Sequence, residues 1–242
     1  TPVEAFEKMI STWNIKAVFA NEDYEPYAIR RDKAIKNLLT ENRIDFKLFT
    51  DQVIFHPNEV LKPDGKPYTV FTPFGKRWKQ RLFENPLANY DSEKLLYSTT
   101  EKNSHFIELQ KPDGIVISDS TLNVTYPNLQ LLQNYASNRD FPALDATSKV
   151  STLLRFGFIS IRKLVQLTME VSEPYLNELI WREFYISILF HYPNTVNQSF
   201  KKKYDAISWN LSESDFQRWC HGETGYPIVD AGMRQLNATG FM

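Results

Sequence analysis

Two hydrophobic periods alternate through the first fifty residues. Helical spacing of apolar positions runs to about Trp13, a short apolar run covers Ala17 to Ala20, helical spacing returns from Arg30 to about Asn42, and Phe46 to Phe49 forms a second short run. Strands separated by helices at this interval predict a parallel α/β sheet. Pro57, Pro63, Pro67 and Pro73 then punctuate an irregular region, with a short turn expected at Asp64-Gly65, before a helix beginning near Phe74. From Leu82 to about Thr125 polarity rises and periodicity weakens, as in a linker lying over a surface. Helical patterns dominate after Pro127: Leu129 to Tyr135, Val150 to Phe156, Ile161 to Val171 behind the cap Ser160, Pro174 to His191, and Asp215 to Cys220. The predicted organisation is an α/β domain over 1–81, a linker over 82–126 and an all-α domain over 127–242.

Composition narrows the function classes. With 42% hydrophobic and 14% aromatic residues, 242 residues can fill a sizeable core. Lys and Arg (28) nearly balance Asp and Glu (29), so the net charge of -1 supplies no global basic field, and any nucleic-acid contact must come from a local patch. The cluster Lys76, Arg77, Lys79 and Arg81 reads first as a solvated helix face, with DNA contact as the alternative. Cys220 stands alone, which rules out an intrachain disulfide framework and a cysteine metal cluster. No stretch resembles a signal peptide or a membrane span, so a cytoplasmic protein is expected.

The candidate chemistry concentrates on one helix. In Asn177 to Tyr185, positions i, i+3, i+4 and i+7 place Glu178, Trp181, Arg182 and Tyr185 on one face, while Leu176, Leu179, Ile180, Phe184 and Ile188 fall mostly elsewhere and can pack inward. Taken alone, that face is either a binding surface or a buried Glu–Arg pair with Trp as filler. Upstream, Thr147, Ser148 and Ser151 bracket a helix start, where hydroxyls and unpaired N–H groups serve either a phosphate or ordinary capping.

Four ordered segments resemble the DNA photolyase and cryptochrome family: Asp23 to Tyr27 with Arg30-Arg31-Asp32, Arg139 to Ala143 running into Thr147 to Ser151, the Glu178 helix, and Thr224 to Leu236. The resemblance implies an α/β antenna domain followed by a helical FAD-binding domain. It also implies that Thr147, Ser148, Lys149, Val150, Ser151, Tyr135 and Tyr175 contact FAD. Glu178 and Trp181 would meet a flipped pyrimidine dimer, with Glu178 beside the flavin as well; Arg139, Arg182 and Tyr185 would join the DNA-binding surface. Trp209 resembles the outer member of a light-driven tryptophan relay, whereas Trp78 and Trp219 have no such match and read as packing. The segment Thr224 to Leu236 reads as scaffold. Family members with a folate antenna carry Asn-Glu after the first Tyr-Glu; Pro26-Tyr27-Ala28 stands here, which argues against folate and leaves a deazaflavin, another chromophore or none open.

The resemblance further implies an interior piece, with the first strands before Thr1 and the remaining flavin contacts after Met242, inactive when alone. The expected function is light-driven repair of cyclobutane pyrimidine dimers by a monomeric, metal-free flavoenzyme whose partner is dimer-containing DNA. The alternative is a cryptochrome-type photoreceptor, for which a dimer-binding Glu178 and Trp181 pair has no use. A six-four photolyase is disfavoured by Glu178, where that group usually carries Gln, and a non-flavin helical binding protein would be colourless.

Overall fold

Thr1 opens the first helix, α1 (Pro2–Thr12), with a reciprocal cap: its hydroxyl accepts from Glu4 N while its amino group meets the Glu4 carboxylate. The computed structural model describes residues 1–88, 90, 94 and 124–241. Strand β1 (Ala17–Asn21), helix α2 (Pro26–Glu41) and strand β2 (Asp45–Phe49) follow, and the strands pair in parallel with Ala17 opposite Asp45 and Asn21 opposite Phe49. Helix α2 starts at Pro26, four residues before the expected Arg30, because proline at the first helical turn has no N–H to waste and a preset φ. Ile35, Leu39 and Ile44 bury against Phe6, Ile10, Val18 and Phe46, fastening both helices to one face of the sheet. Gly65, at φ 78, makes the expected turn, closed by bonds between Lys62 and residues 65 and 66.

A larger core joins the stretch after β2 to the helices. Helix α3 (Phe71–Glu84) contributes Phe74, Trp78 and Leu82; α4 (Leu129–Asn138) contributes Leu132; α5 (Ser151–Arg155) contributes Leu153 and Leu154; α6 (Ile161–Met169) contributes Leu164 and Val165; and α7 (Glu173–His191) contributes Leu179, Ile180 and Phe184. Trp78 is fully buried, so its reading as packing holds. Each such side chain stabilises the fold by about 1.5–3 kcal/mol. The charges of α3 are largely paired on the surface, Lys79 with Glu173 at 2.6 Å and Arg81 with Glu59 at 3.2 Å. Most of the stretch read as a linker lies outside the described residues; its first part, Leu82 to Glu84, is the last turn of α3.

The described chain forms two compact units, Thr1–Ile188 and Leu189–Met242. In the second, α8 (Glu213–His221) ends on Gly222 in the left-handed conformation, and α9 (Pro227–Thr239) follows. Asp230, buried at the start of α9, accepts from Thr224 N (2.8 Å), Thr224 Oγ1 (2.6 Å) and Gly225 N (3.0 Å). The hydroxyl and the two amides hold its carboxyl below the usual carboxylate range. Among the described residues, no helix is long and apolar enough to cross a membrane and no cluster of His, Cys, Asp or Glu could hold a metal.

Candidate functional site

Helix α7 organises the first unit's chemistry because one stripe of it is apolar and the neighbouring stripe is not. Tyr175, Leu176, Leu179, Ile180, Glu183, Phe184 and Ser187 are buried, whereas Glu178, Trp181 and Arg182 are half-buried and Tyr185 is exposed. One residue of the buried stripe is charged. Glu183 accepts from Ile54 N (2.8 Å), Phe55 N (3.0 Å) and Trp78 Nε1 (2.7 Å), pinning the turn after β2 and helix α3 to α7. Burial outweighs these three donors and the adjacent Arg182, and its carboxyl is pushed up to about 7. Arg182 itself donates to the Gln52 carbonyl at 2.7 Å, so its guanidinium braces the same turn, and burial lowers its pKa.

Five of the expected site residues form one connected chain of contacts. Tyr175 OH donates to Ser148 Oγ at 2.7 Å, and its ring meets the Tyr135 ring edge-on at 5.0 Å. The Arg139 guanidinium lies 5.3 Å from the Tyr135 ring centre and reaches Glu178 Oε1 at 2.5 Å. Burial raises the pKa of both phenols, and the bond to Glu178 raises that of Arg139. Residues from α4, its C-terminal cap, the 147–151 loop and α7 thereby converge.

The loop has the donor set of an anion cradle. Val150 is the N-cap residue of α5, yet no side chain caps that helix: the Ser148 hydroxyl accepts from Tyr175, while Thr147 and Ser151 are exposed. Ordinary capping therefore does not account for these hydroxyls. Lys149 adopts φ 53, a left-handed conformation costing a non-glycine residue about 1–2 kcal/mol, with its ammonium 2.7 Å from Asp145. Val150 is buried in the main core, anchoring the loop where its neighbours face outward. Hydroxyls, an ammonium and the first N–H groups of a helix fit the phosphate side of a dinucleotide cofactor such as FAD.

Trp181 is not an open platform. Its ring stacks on Phe71 with centroids 3.6 Å apart and planes 6° apart, and it lies nearly parallel to Tyr185 at 5.5 Å. Trp209 belongs to the second unit, where it is 72% exposed, and Trp219 is half-exposed beside Phe216. Sequence reasoning missed Glu183 and Phe71. The former was visible as the carboxylate on the Leu176, Leu179, Ile180 stripe; the latter was hidden because Pro73 suggested a later helix start.

Comparison with known proteins bears on the whole chain. A family model described as DNA photolyase matches residues 1–91, and one described as the FAD binding domain of DNA photolyase matches residues 175–242, so the 147–151 loop falls between them. The deoxyribodipyrimidine photo-lyase of Alkalihalophilus pseudofirmus is 33% identical over 98% of this chain and 53% of its own length; that of Escherichia coli is 33% identical over 99% and 54%. A bacterial class III photolyase from Agrobacterium tumefaciens superposes with TM-score 0.73 at 27% identity, covering 99% of this chain and 54% of that one. The Synechocystis cryptochrome superposes over 100% of this chain and 55% of that one, with TM-score 0.76 at 22% identity, a likeness of fold alone. The chain spans about half the length of the curated relatives it matches.

Proposed function

Since the chain belongs to the DNA photolyase and cryptochrome family, with that family's α/β layer followed by helices, we propose that the protein repairs cyclobutane pyrimidine dimers in DNA by light-driven electron transfer from reduced FAD. The observation that carries this reading is the double duty of α7. Tyr175, one turn from Glu178, is bonded to the hydroxyl loop, while Glu178 and Trp181 on the same helix present a carboxylate and an aromatic ring. A rigid helix thus sets the spacing between a cofactor cradle and a base-sized polar and aromatic surface.

FAD, when bound, supplies the excited-state electron for splitting the dimer. The chain's own residues have simpler tasks. Thr147, Ser148, Lys149 and Ser151, with the backbone at Val150, hold phosphate and ribityl oxygens; Tyr135 and Tyr175 wall the cradle with aromatic surface. Glu178 accepts from the polar edges of an extruded dimer and offsets charge developing there, the exposed Tyr185 ring supplies stacking surface, and Trp181 backs it with an apolar edge. Arg139 neutralises Glu178 until DNA arrives and can then turn to a phosphate. Arg182 is left as a brace for residue 52. Trp209 serves as an exposed entry point for electrons reaching the flavin. In this reading 1–81 is the antenna part, 82–126 the linker and 127–242 the flavin and lesion part. The lone Cys220 suits a reducing cytoplasm, and the protein acts as a monomer. The antenna chromophore stays open, with folate disfavoured by Pro26-Tyr27-Ala28.

One observation favours a second reading, a cryptochrome-type photoreceptor. Phe71 already covers the Trp181 ring and Arg139 already satisfies Glu178, so the face is complete without DNA. The experiment that separates the two readings uses the flavin-loaded, reduced protein and an oligonucleotide bearing one pyrimidine dimer. Restoration of the paired bases under blue light, with none in darkness, is the outcome repair requires; a loaded protein that binds the oligonucleotide and leaves it unrepaired is a photoreceptor.

A further inference from the structure

We propose that Arg155 is a positioning residue for the 147–151 loop, and that it acts by fastening helix α5 to the carboxyl edge of the α/β layer. The inference rests on the flavin reading of that loop. Helix α5 has five residues and spans roughly 7.5 Å, too short to hold its shape alone. Val150, Leu153 and Leu154 hold it in the core by one face, and the orientation of its first N–H groups and the preceding hydroxyls then depends on what holds its far end. That far end is Arg155, whose Nη1 lies 3.1 Å from Asp23 Oδ2 and whose Nη2 lies 3.1 Å from Glu25 Oε1.

The receiving side is preorganised. Asp23 Oδ1 accepts from Glu25 N at 3.2 Å, which fixes the carboxylate and leaves Oδ2 turned to the arginine. Both acids follow β1. A second strap lands on the residues that follow β2: Arg162 of α6 donates to Asp51 Oδ1 at 2.5 Å and to the Thr50 carbonyl at 2.6 Å. Asp51 also accepts from Asn21 Nδ2 at 3.0 Å, so the two strand ends are tied to each other where the straps attach.

Val150, Leu153 and Leu154 seat one side of α5 in the main core, but not the side that faces the strand ends. An open cleft of about 470 Å³, lined by Asn21, Asp51, Tyr126, Arg155, Phe156 and Ile161 among others, lies between the strand ends and the α5–α6 turn. Across that cleft the arginines carry the contact. Asp23, Glu25 and Arg155 are partly exposed (21, 52 and 45%), so screening keeps the effect modest.

The experiment compares the intact protein with Arg155→Ala, Asp23→Asn and the double variant, reading FAD affinity by flavin titration of apoprotein and amide exchange over residues 145–155. Each single variant is expected to raise the FAD dissociation constant about two- to fivefold and to speed exchange in that segment, with the thermal midpoint little changed. The double variant should be no weaker than the worse single one, because both remove the same contact. Parent-like FAD affinity and exchange in the variants, or losses that add in the double variant, overturn the proposal. A parent that takes up no FAD overturns the flavin reading instead; exchange in the apoprotein then decides the fastening by itself, unchanged rates in Arg155→Ala contradicting it.

Discussion

Arg139 Nη1 sits 2.5 Å from Glu178 Oε1, 39 residues away in sequence, and the same guanidinium lies over the Tyr135 ring. Two groups assigned to DNA contact therefore satisfy each other before any DNA is present. A charge-assisted pair with its side chains 38% and 36% exposed is held together and still reachable. Lesion binding has to exchange this pair for contacts with bases and phosphate, so salt and competing anions should weaken it more than a neutral stacking site would allow.

Trp181→Ala should cost twice. Losing the stack on Phe71 removes core-edge contacts and should destabilise the fold by about 2–4 kcal/mol in denaturant unfolding. Affinity for dimer-containing DNA should also fall, by less than the about 1–3 kcal/mol of a full base–aromatic stack because Phe71 already covers the ring, with FAD still bound. Trp181→Phe separates the two effects by keeping most of the Phe71 contact. Parent-like lesion affinity in both variants would remove Trp181 from the lesion surface and leave it as packing.

Glu183 predicts a pH dependence of stability. Its folded pKa of about 7 exceeds the ordinary 4.5, so across that window the native protein holds a proton that the unfolded chain has released. Stability from this group is fully present below about pH 4.5 and is lost as pH rises through about 7, up to about 3 kcal/mol at 1.36 kcal/mol per pH unit. Glu183→Gln should lower stability overall, because its amide turns a donor toward the Ile54 or Phe55 N–H, yet should flatten the difference between pH 5 and pH 8. A variant with the same pH slope as the parent would contradict this assignment.

Gly222 tests the scaffold of the second unit. It ends α8 at φ 68, and a β-carbon there would meet the Asp230 carbonyl oxygen at 2.8 Å and Arg234 Cγ at 2.9 Å. Gly222→Ala should cost about 2 kcal/mol or more through backbone strain and crowding combined. Exchange protection over residues 213–239 should drop while that of residues 153–184 holds; equal protection in variant and parent would show that α9 yields without cost.

Much of the fold was legible because hydrophobic period and caps report directly on local structure. Ser160 caps α6 as its hydroxyl before an amphipathic run suggested, and α7 buries Leu176, Leu179, Ile180 and Phe184 as its spacing assigned, with Ile188 partly buried at the core's edge. Two helix starts were placed late, at Arg30 and near Phe74, because Pro26 and Pro73 lie inside the first turns, where a missing N–H costs nothing. The site was half legible. Residue types and the family resemblance brought Tyr135, Arg139, Ser148, Tyr175 and Glu178 to one place. No local pattern could announce that Arg182 would brace Gln52, that Phe71 would cover Trp181, or that Arg155 would reach Asp23, since these contacts join residues separated by 110 to 132 positions.

The claim that the Glu178 face is a repair site is tested most directly by the repair yield per absorbed photon of Glu178→Gln, measured in single-turnover illumination with lesion bound at saturation. Gln keeps the shape and one acceptor but removes the negative charge, and with it the charge assistance of the Arg139 bond. The yield should fall by more than lesion affinity does, with FAD content unchanged. An unchanged yield in a variant that still binds FAD and lesion would make the carboxylate a structural partner of Arg139 and return the protein to the photoreceptor reading.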